Sequence, residues 1–286
     1  MKEKTVLNVN RVKLTYLYLP LILLLIITIY IYLNDAFSIN SYIEIQKEAF
    51  FYLNFELAKF PLIQYNLTQL GDAFIFLSLL TPLLVYIPKL WEALISASII
   101  SGLICSPLKW LFKVPRPASA FHENSFVIIG KAYYGSNSLP SGHSITIFTV
   151  LTVVLLVLMP ADKYFKLLWT SFIVCLGIIL CLTRVAVGAH FLLDVLFGSI
   201  IGYISGILGI LFIKRYGMWN WIGKGENYPL FIALFFGSIV FGIFKIVNSN
   251  LFIFYFSCLS LFVSSFILLM RYHLRPKRLK SGGVWI

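Results

Sequence analysis

Residues 140–159, PSGHSITIFTVLTVVLLVLM, give the clearest indication of the fold class of this chain. No charged side chain follows His143 within it, and the apolar run predicts a membrane-spanning helix near 143–160. Seven further runs predict spans near 14–33, 72–88, 91–113, 165–187, 190–213, 229–247 and 251–270. The run at 72–88 is short and contains Pro82. We therefore predict an all-α, polytopic membrane helix bundle of about eight spans.

The composition of the 286-residue chain agrees with this fold class. Hydrophobic residues make up 60% and charged residues 12%, whereas a typical soluble domain has about 25% charged residues. The net charge of +12 does not indicate nucleic-acid binding. The cations sit mainly in short loops, where they set topology and contact anionic lipids. We expect the membrane as a partner and no nucleic acid.

The distribution of Lys and Arg predicts the side of the membrane that each loop faces. With a cytoplasmic amino terminus, most of the 23 cations fall on the inner side. The outer side holds Lys47, Lys59, Lys109, Lys113, Arg116, Lys131, Arg184 and Lys245. We predict an even number of spans, both termini in the cytoplasm and a first span that is an uncleaved signal anchor. Lys245, near an outer helix end, is expected to snorkel to the interface.

Four segments organise the chain. They are 1–33, the cytoplasmic amino terminus and first span; 34–71, an outer interfacial segment; 72–213, a core bundle; and 214–286, two extra spans and a basic cytoplasmic tail. In 34–71, charged residues are mixed with apolar ones. This pattern is typical of a helix on the outer leaflet or, equally, of a helical connector packed on the bundle. The four cysteines lie in apolar runs without metal-ligand spacing, which favours a packing role.

The first group of polar residues at a span edge is Lys109-x-x-x-x-x-x-Arg116-Pro117. Ionisable residues are costly to place there, so they are functional candidates by default. Lys109 and Arg116 are two helical turns apart, so both project from one face if the third span continues that far. A guanidinium offers a planar fork to phosphate oxygens and an ammonium offers a point charge. The alternative is a pair of cations that snorkel to the outer interface.

The second group, Pro140-Ser141-Gly142-His143, leads directly into an apolar run. A helix is predicted to begin here with Ser141 as its N-cap. Its free N–H groups and positive dipole end favour an anion, and Gly142 lets the backbone approach that anion closely. His143 would lie in the first turn beside the anion, which keeps the imidazole protonated as a general acid.

The third group is Arg184-x-x-x-x-x-His190-x-x-x-Asp194. The four-residue spacing predicts that His190 and Asp194 share a helix face within hydrogen-bonding reach. A carboxylate bonded to one ring nitrogen fixes the tautomer and leaves the other nitrogen free to attack. Arg184 would lie off that face in a continuous helix, and Gly188 offers the break that brings it back. For His190 alone, the alternative is a buried structural histidine.

In this order, the three groups resemble the signature of the type 2 phosphatidic acid phosphatase superfamily, which also includes vanadium-dependent haloperoxidases. The matching residues are Lys109, Arg116, Pro117, Pro140, Ser141, Gly142, His143, Arg184, His190 and Asp194. The resemblance covers roughly residues 54–213, where membrane members have a six-helix bundle, so the last two spans lie outside it. It implies that His190 forms a phosphohistidine, that Asp194 orients it, and that His143 protonates the leaving oxygen. It implies that the phosphate is bound by Lys109, Arg116, Ser141, Gly142 and Arg184.

These observations together predict an integral membrane lipid phosphatase that needs no metal and no cofactor. We expect it to act at the periplasmic face of a bacterial inner membrane on a lipid phosphate ester or diphosphate. Undecaprenyl diphosphate and lipid A phosphate are favoured over phosphatidylglycerol phosphate and phosphatidate, because both present phosphate at the outer leaflet. The alternatives are a lipid phosphotransferase with the same intermediate, a haloperoxidase, and a non-catalytic transporter or scaffold. Eight spans disfavour the haloperoxidase, and the complete set of reactive residues disfavours the scaffold.

Overall fold

The computed structural model describes residues 2–274, and within this range the chain forms helices and no β-strand. The helices are α1 (Lys2–Arg11), α2 (Tyr18–Leu33), α3 (Ile39–Leu57), α4 (Pro61–Thr68), α5 (Ala73–Leu80), α6 (Pro88–Phe112), α7 (Pro117–Ala120), α8 (Gly142–Val157), α9 (Lys163–Ala186), α10 (Leu192–Tyr216), α11 (Tyr228–Ser249) and α12 (Phe252–His273). Most of the predicted basic tail, from residue 275 onward, lies outside the described residues.

Helices occupy all eight predicted span positions, which confirms a polytopic helical bundle. Among residues 2–274, six helical segments are long and apolar enough to cross a membrane. The other two are shorter: α8 has 16 residues, or about 24 Å of helix, and Ala73–Leu83 is shorter still. The predicted run 72–88 is interrupted after Leu80, because Pro82 has no N–H to continue the helix. The count of eight crossings stays a prediction.

The centre of the bundle is α8, and α10 packs against it at backbone distance. Three glycines spaced four residues apart on α10 face α8; they are Gly198, Gly202 and Gly206. A Cβ atom at Gly202 would lie 2.4 Å from the carbonyl oxygen of Ile145. Small residues at this spacing let membrane helices approach closely. At the end of the contact, Ser141 N–H donates to the carbonyl oxygen of Asp194 at 3.0 Å. The amino-terminal ends of α8 and α10 therefore lie side by side.

The segment 34–71 forms α3 and α4, and α3 packs across the ends of two long helices. Its Asn54 side chain donates to two carbonyl oxygens in the last turn of α9, at 2.9 and 3.1 Å. Gln46 accepts a hydrogen bond from the N–H of Leu193 at 2.9 Å. These bonds satisfy backbone groups that helix ends leave unpaired. The segment is therefore packed on the bundle, and its location on the outer leaflet stays a prediction.

At the opposite end of the bundle, α1 packs beneath α8 and α10. The Asn8 side chain donates to the carbonyl oxygens of Val157 and Met159, each at 3.0 Å. Lys214 Nζ donates to the carbonyl oxygen of Asn10 at 2.8 Å. These contacts fix the carboxyl ends of the two central helices, far from the end where α8 and α10 begin.

The C-terminal hairpin, residues 228–273, consists of α11 and α12 joined at Asn250, whose φ is 46°. Polar side chains attach it to α5 and the following turn: the hydroxyls of Ser78 and Ser257 share a hydrogen bond, and Ser264 donates to Thr81 Oγ1 at 2.8 Å. The prediction that Lys245 snorkels was wrong. Its Nζ instead lies 2.8 Å from Asp72 Oδ2, because the hairpin faces an acidic residue there.

Candidate active site

The three predicted groups of polar residues meet at the end of the bundle where α6 and α9 end and α8 and α10 begin. The first and second groups are neighbours: a Cβ atom on Gly142 would lie 3.7 Å from Lys109 Cε. The first and third are linked by Arg116 Nη1, which donates to the carbonyl oxygen of Ala189 at 3.4 Å. The second and third are linked by the backbone hydrogen bond from Ser141 to Asp194. The structure thus brings all three groups together.

The third span does not continue as far as Arg116, so Lys109 and Arg116 do not share a helix face. The helix α6 ends at Phe112 because Lys113 adopts a left-handed conformation with φ 50°, and Arg116 lies in extended backbone after it. Both cations nevertheless bind one residue of the following loop. Lys109 Nζ donates to the carbonyl oxygen of Asn137 at 2.9 Å, and Arg116 Nε donates to its Oδ1 at 2.7 Å. Asn137 therefore holds the two cations close together although they do not lie on one helix.

Ser141 is the N-cap of α8, as predicted. It is fully buried, and its Oγ accepts from the N–H of Ser144 at 3.4 Å and from the Ser144 hydroxyl at 3.0 Å. His143 lies in the first turn and is half-buried. One edge of its side chain contacts Gly71, where a Cβ atom would lie only 2.4 Å from His143 Cβ. The neighbouring turn therefore limits the positions that His143 can adopt.

The connection between α9 and α10 contains the break predicted at Gly188. This residue has φ +74°, and a Cβ atom on it would lie 2.8 Å from the carbonyl oxygen of Val127. The N–H groups of Ala189 and His190 both donate to the carbonyl oxygen of Arg184, at 3.0 and 3.3 Å. The chain thus folds back tightly, and Arg184 and His190 lie at the same site although they are not on one helix.

His190 and Asp194 are not directly hydrogen-bonded on one helix face, contrary to the prediction. His190 precedes α10, and its Nδ1 lies 3.7 Å from Asp194 Oδ2. The Asp194 side chain instead turns back to cap the helix and accepts from the N–H of Phe191 at 3.0 Å. Ser138 bridges the two residues. Its Oγ lies 3.2 Å from His190 Nδ1 and donates to Asp194 Oδ2 at 2.6 Å.

A count of protons fixes the tautomer of His190. The Ser138 hydroxyl has one hydrogen, and the shorter bond to the carboxylate uses it. Ser138 Oγ must then accept from His190 Nδ1–H, which leaves Nε2 without a proton. The other oxygen of Asp194 accepts from the Tyr42 hydroxyl at 2.9 Å. The carboxylate therefore favours, through a serine, the neutral tautomer in which Nε2 carries no proton.

Arg184 is the largest fully buried polar side chain of the site, with 1% exposure. Its Nη1 donates to Thr68 Oγ1 at 2.6 Å. Its Nε and Nη2 have no hydrogen-bond partner among the described residues. The ring of Tyr133 lies beside both arginines, 5.7 Å from Arg184 Cζ and 5.2 Å from Arg116 Cζ. Two guanidinium groups therefore share one aromatic neighbour and one place for an anion.

Burial lowers the pKa of His190 well below its usual value of 6.5, and the positive charges of Arg116 and Arg184 lower it further. His190 lies in the loop between α9 and α10, with 1% of its surface exposed. The imidazole is therefore neutral at neutral pH, as a nucleophile requires.

Sequence reasoning missed five residues that complete the site: Tyr42, Thr68, Tyr133, Asn137 and Ser138. They belong to no spacing pattern, and Tyr42 is 152 residues away from Asp194 along the chain. The one available signal was proximity for Asn137 and Ser138, which directly precede the second group. Within residues 2–274, no group of three or more His, Cys, Asp or Glu side chains could hold a metal ion. That the reaction needs no metal stays a prediction.

Two histidines, three cations and a helix amino terminus thus lie together at one end of a membrane helix bundle, an arrangement that suits an anion. Residues 90–218 match the family model of the PAP2 superfamily, and they include every signature residue of the site. This part of the chain, which holds the site, is therefore similar to the PAP2 superfamily. The crystal structure of LpxE from Aquifex aeolicus is similar, with a TM-score of 0.49 and 26% sequence identity, over 58% of this chain and 95% of that one. No curated protein matches the chain.

Proposed function

We propose that this protein is a membrane lipid phosphatase that hydrolyses a phosphate ester or diphosphate through a phosphohistidine intermediate. The buried guanidinium of Arg184, with two unpartnered nitrogens, is the observation that carries the proposal. A buried charge is costly unless it is paired. The Asp194 carboxylate already accepts three hydrogen bonds, and Lys109 and Arg116 add further positive charge. A phosphoryl group supplies both the negative charge and the acceptor oxygens.

In the first step, Nε2 of His190 attacks phosphorus, and the P–O bond to the lipid breaks as the N–P bond forms. The three cations stabilise charge on the non-bridging oxygens. His143 donates its proton to the leaving oxygen. The His190 ring becomes positively charged, and Asp194 stabilises this charge through Ser138.

In the second step, His143 is neutral and takes a proton from a water molecule. The water oxygen attacks phosphorus, the N–P bond breaks, and inorganic phosphate is released. His190 returns to its neutral form with the proton on Nδ1, and His143 is again protonated. The cycle is complete without a further reactant.

An apolar cavity of about 270 Å³ next to the site supports a lipid as the substrate. Tyr42, which binds Asp194, and Leu139, which follows Ser138, both line it. An acyl or prenyl chain fits such a surface, whereas a soluble phosphate ester has no use for it. We favour undecaprenyl diphosphate or lipid A phosphate. With both termini cytoplasmic, the site faces the periplasm of a bacterial inner membrane.

Phosphate release by the purified, detergent-solubilised protein tests the proposal. The substrates are undecaprenyl diphosphate, lipid A, phosphatidylglycerol phosphate and phosphatidate, each with and without EDTA. We expect release from at least one lipid, and a loss of several orders of magnitude in His190→Ala. His273→Ala is the matched control, because His273 is exposed at the carboxyl end of α12. Equal release by wild type and His190→Ala would contradict the proposal.

Product analysis separates hydrolysis from transfer to a second lipid. Inorganic phosphate appears in stoichiometric amounts if water is the acceptor. A phosphorylated lipid product that appears only when an acceptor lipid is added would identify a phosphotransferase. Activity that EDTA abolishes would contradict the metal-independent mechanism alone.

A further inference from the structure

The turn at residues 68–72 connects α4 to α5 and contacts the active site at two points. Thr68 accepts a hydrogen bond from Arg184 Nη1 at 2.6 Å. Gly71 lies against His143 without space for a methyl group, since a Cβ atom there would be 2.4 Å from His143 Cβ and 2.5 Å from its Cδ2. A displacement of this 68–72 turn therefore changes the space in which the imidazole is held.

Asp72 ends the 68–72 turn and uses both carboxylate oxygens. Oδ1 accepts from the N–H of Phe74 at 2.9 Å and caps α5. Oδ2 lies 2.8 Å from Nζ of Lys245 on α11. The Lys245 ammonium also lies 5.5 Å from the ring centres of Phe241 and Phe254. The cation is therefore held by a carboxylate and two aromatic faces at the end of the 68–72 turn.

The contacts described above connect the active site to a part of the chain that the family match does not include. Both the 68–72 turn and the C-terminal hairpin lie outside residues 90–218. Besides the ion pair, the hairpin binds this region through Ile253 N–H, which donates to Asn66 Oδ1 at 3.1 Å, and through the Ser78 and Ser257 hydroxyls. The hairpin is thus hydrogen-bonded to the residues on both sides of the 68–72 turn.

We propose that the C-terminal hairpin positions the general acid of this site, with Lys245 acting through Asp72 to hold the 68–72 turn against His143. The inference rests on the proposed function, in which His143 protonates the leaving oxygen. Without Lys245, the Asp72 carboxylate turns toward water, and the 68–72 turn moves with it. Proton transfer needs hydrogen-bond distance, so a shift of a fraction of an ångström slows it. Lys245 and Asp72 are positioning residues and do not touch the substrate.

The test compares two leaving groups. The first substrate is the lipid of the panel above that the wild type hydrolyses fastest, whose leaving oxygen needs a proton. The second is p-nitrophenyl phosphate, because p-nitrophenolate leaves without one. The quantity measured is kcat/KM, which covers the step up to leaving-group departure. The variants are Lys245→Met, Lys245→Arg and Asp72→Asn, with His143→Ala as the reference for a lost acid.

We expect Lys245→Met and Asp72→Asn to lower kcat/KM for the lipid about tenfold, and for p-nitrophenyl phosphate less than about threefold. Lys245→Arg keeps the charge and should stay within about threefold of wild type for both. The double variant should lose no more than the worse single variant, because both remove the same interaction. Asn is also a good N-cap, so Asp72→Asn tests the pair even if Lys245→Met folds poorly.

Lys59→Met is the matched control. Lys59 pairs with Glu56 at 2.6 Å and lies 5.6 Å from the ring centre of Phe55, but it is exposed and lies just after the end of α3. The activity of Lys59→Met should equal that of wild type. If His143→Ala discriminates between the substrates but Lys245→Met slows both equally or neither, this inference is overturned and the proposed function stands. If wild type releases no phosphate, or His143→Ala does not discriminate, the proposed role of His143 fails and this inference fails with it.

Discussion

Replacing Ser138 with Ala removes the one hydroxyl that connects His190 to Asp194. His190 Nδ1 loses its partner at 3.2 Å, and the nearest carboxylate oxygen is 3.7 Å away, which is too far for a hydrogen bond. Asp194 keeps its bonds from Tyr42 and the Phe191 N–H, so the cap of α10 survives. The change therefore isolates the link between the two residues from the fold.

The expected magnitude follows from the cost of an unsatisfied buried donor. His190 is 1% exposed, so the orphaned Nδ1–H costs about 1–3 kcal/mol, and more as the ring becomes charged during attack. One factor of ten in rate corresponds to about 1.4 kcal/mol. We expect kcat/KM for the lipid to fall between about tenfold and a hundredfold, less than for His190→Ala. The fall should be similar for p-nitrophenyl phosphate, because the nucleophile acts on both substrates.

The control is Ser136→Ala, two residues earlier in the same loop and exposed. It should keep the wild-type rate, and both variants should keep a similar thermal midpoint. Wild-type activity in Ser138→Ala would refute the serine bridge. It would mean that Asp194 acts on His190 directly, after a movement that closes the gap of 3.7 Å.

Three further predictions concern other parts of the site. Because the pKa of His190 is lowered, its neutral form persists to lower pH than that of a free histidine. The loss of kcat/KM caused by protonation of His190 should therefore occur below pH 6.5. A pH profile of kcat/KM whose midpoint lies above 6.5 in the wild type and shifts in Ser138→Ala would contradict this. Gly188→Ala should lower the thermal midpoint and abolish activity. The φ of +74° costs about 1–3 kcal/mol for a residue other than glycine, and the added methyl group also clashes with Val127. The control Gly237→Ala on α11, where nothing lies within 4 Å, should change neither stability nor activity. Arg184→Lys should lower kcat/KM by about a hundredfold or more and weaken protection by orthovanadate against heat, because Lys has no planar fork; retained protection would show that Arg184 does not bind the anion.

The sequence was sufficient to predict the bundle and the meeting of the three polar groups, because apolar runs and the positive-inside rule act on whole segments. It also predicted the N-cap at Ser141 and the break at Gly188, which depend on local backbone chemistry. It failed at two helix ends. A shared face for Lys109 and Arg116 required α6 to continue past Lys113, whose left-handed conformation no local rule requires. His190 was placed inside a helix that in fact begins after it.

The residues that sequence reasoning missed are those whose role exists only after packing. Tyr42 reaches Asp194 from a helix that binds the ends of α9 and α10 through side chains. Ser138 acts by lying between two residues that were expected to touch. Lys245 was assigned to the membrane interface because its partner, Asp72, is distant in sequence. Tertiary hydrogen bonds and ion pairs of this kind leave no periodic pattern.

The short length of α8 has a consequence for the membrane around the protein. The helix provides about 24 Å, whereas the hydrocarbon layer is about 30 Å thick. Its carboxyl end is held by Asn8, so the deficit falls at the end that carries His143. Most residues of α8 are buried among other helices, so the bilayer adjusts to those helices and not to α8. A thinner bilayer then brings lipid phosphates closer to the imidazole, and a thicker one withdraws them. We therefore expect turnover to depend on acyl-chain length in the surrounding bilayer, even for a substrate whose own chains are unchanged.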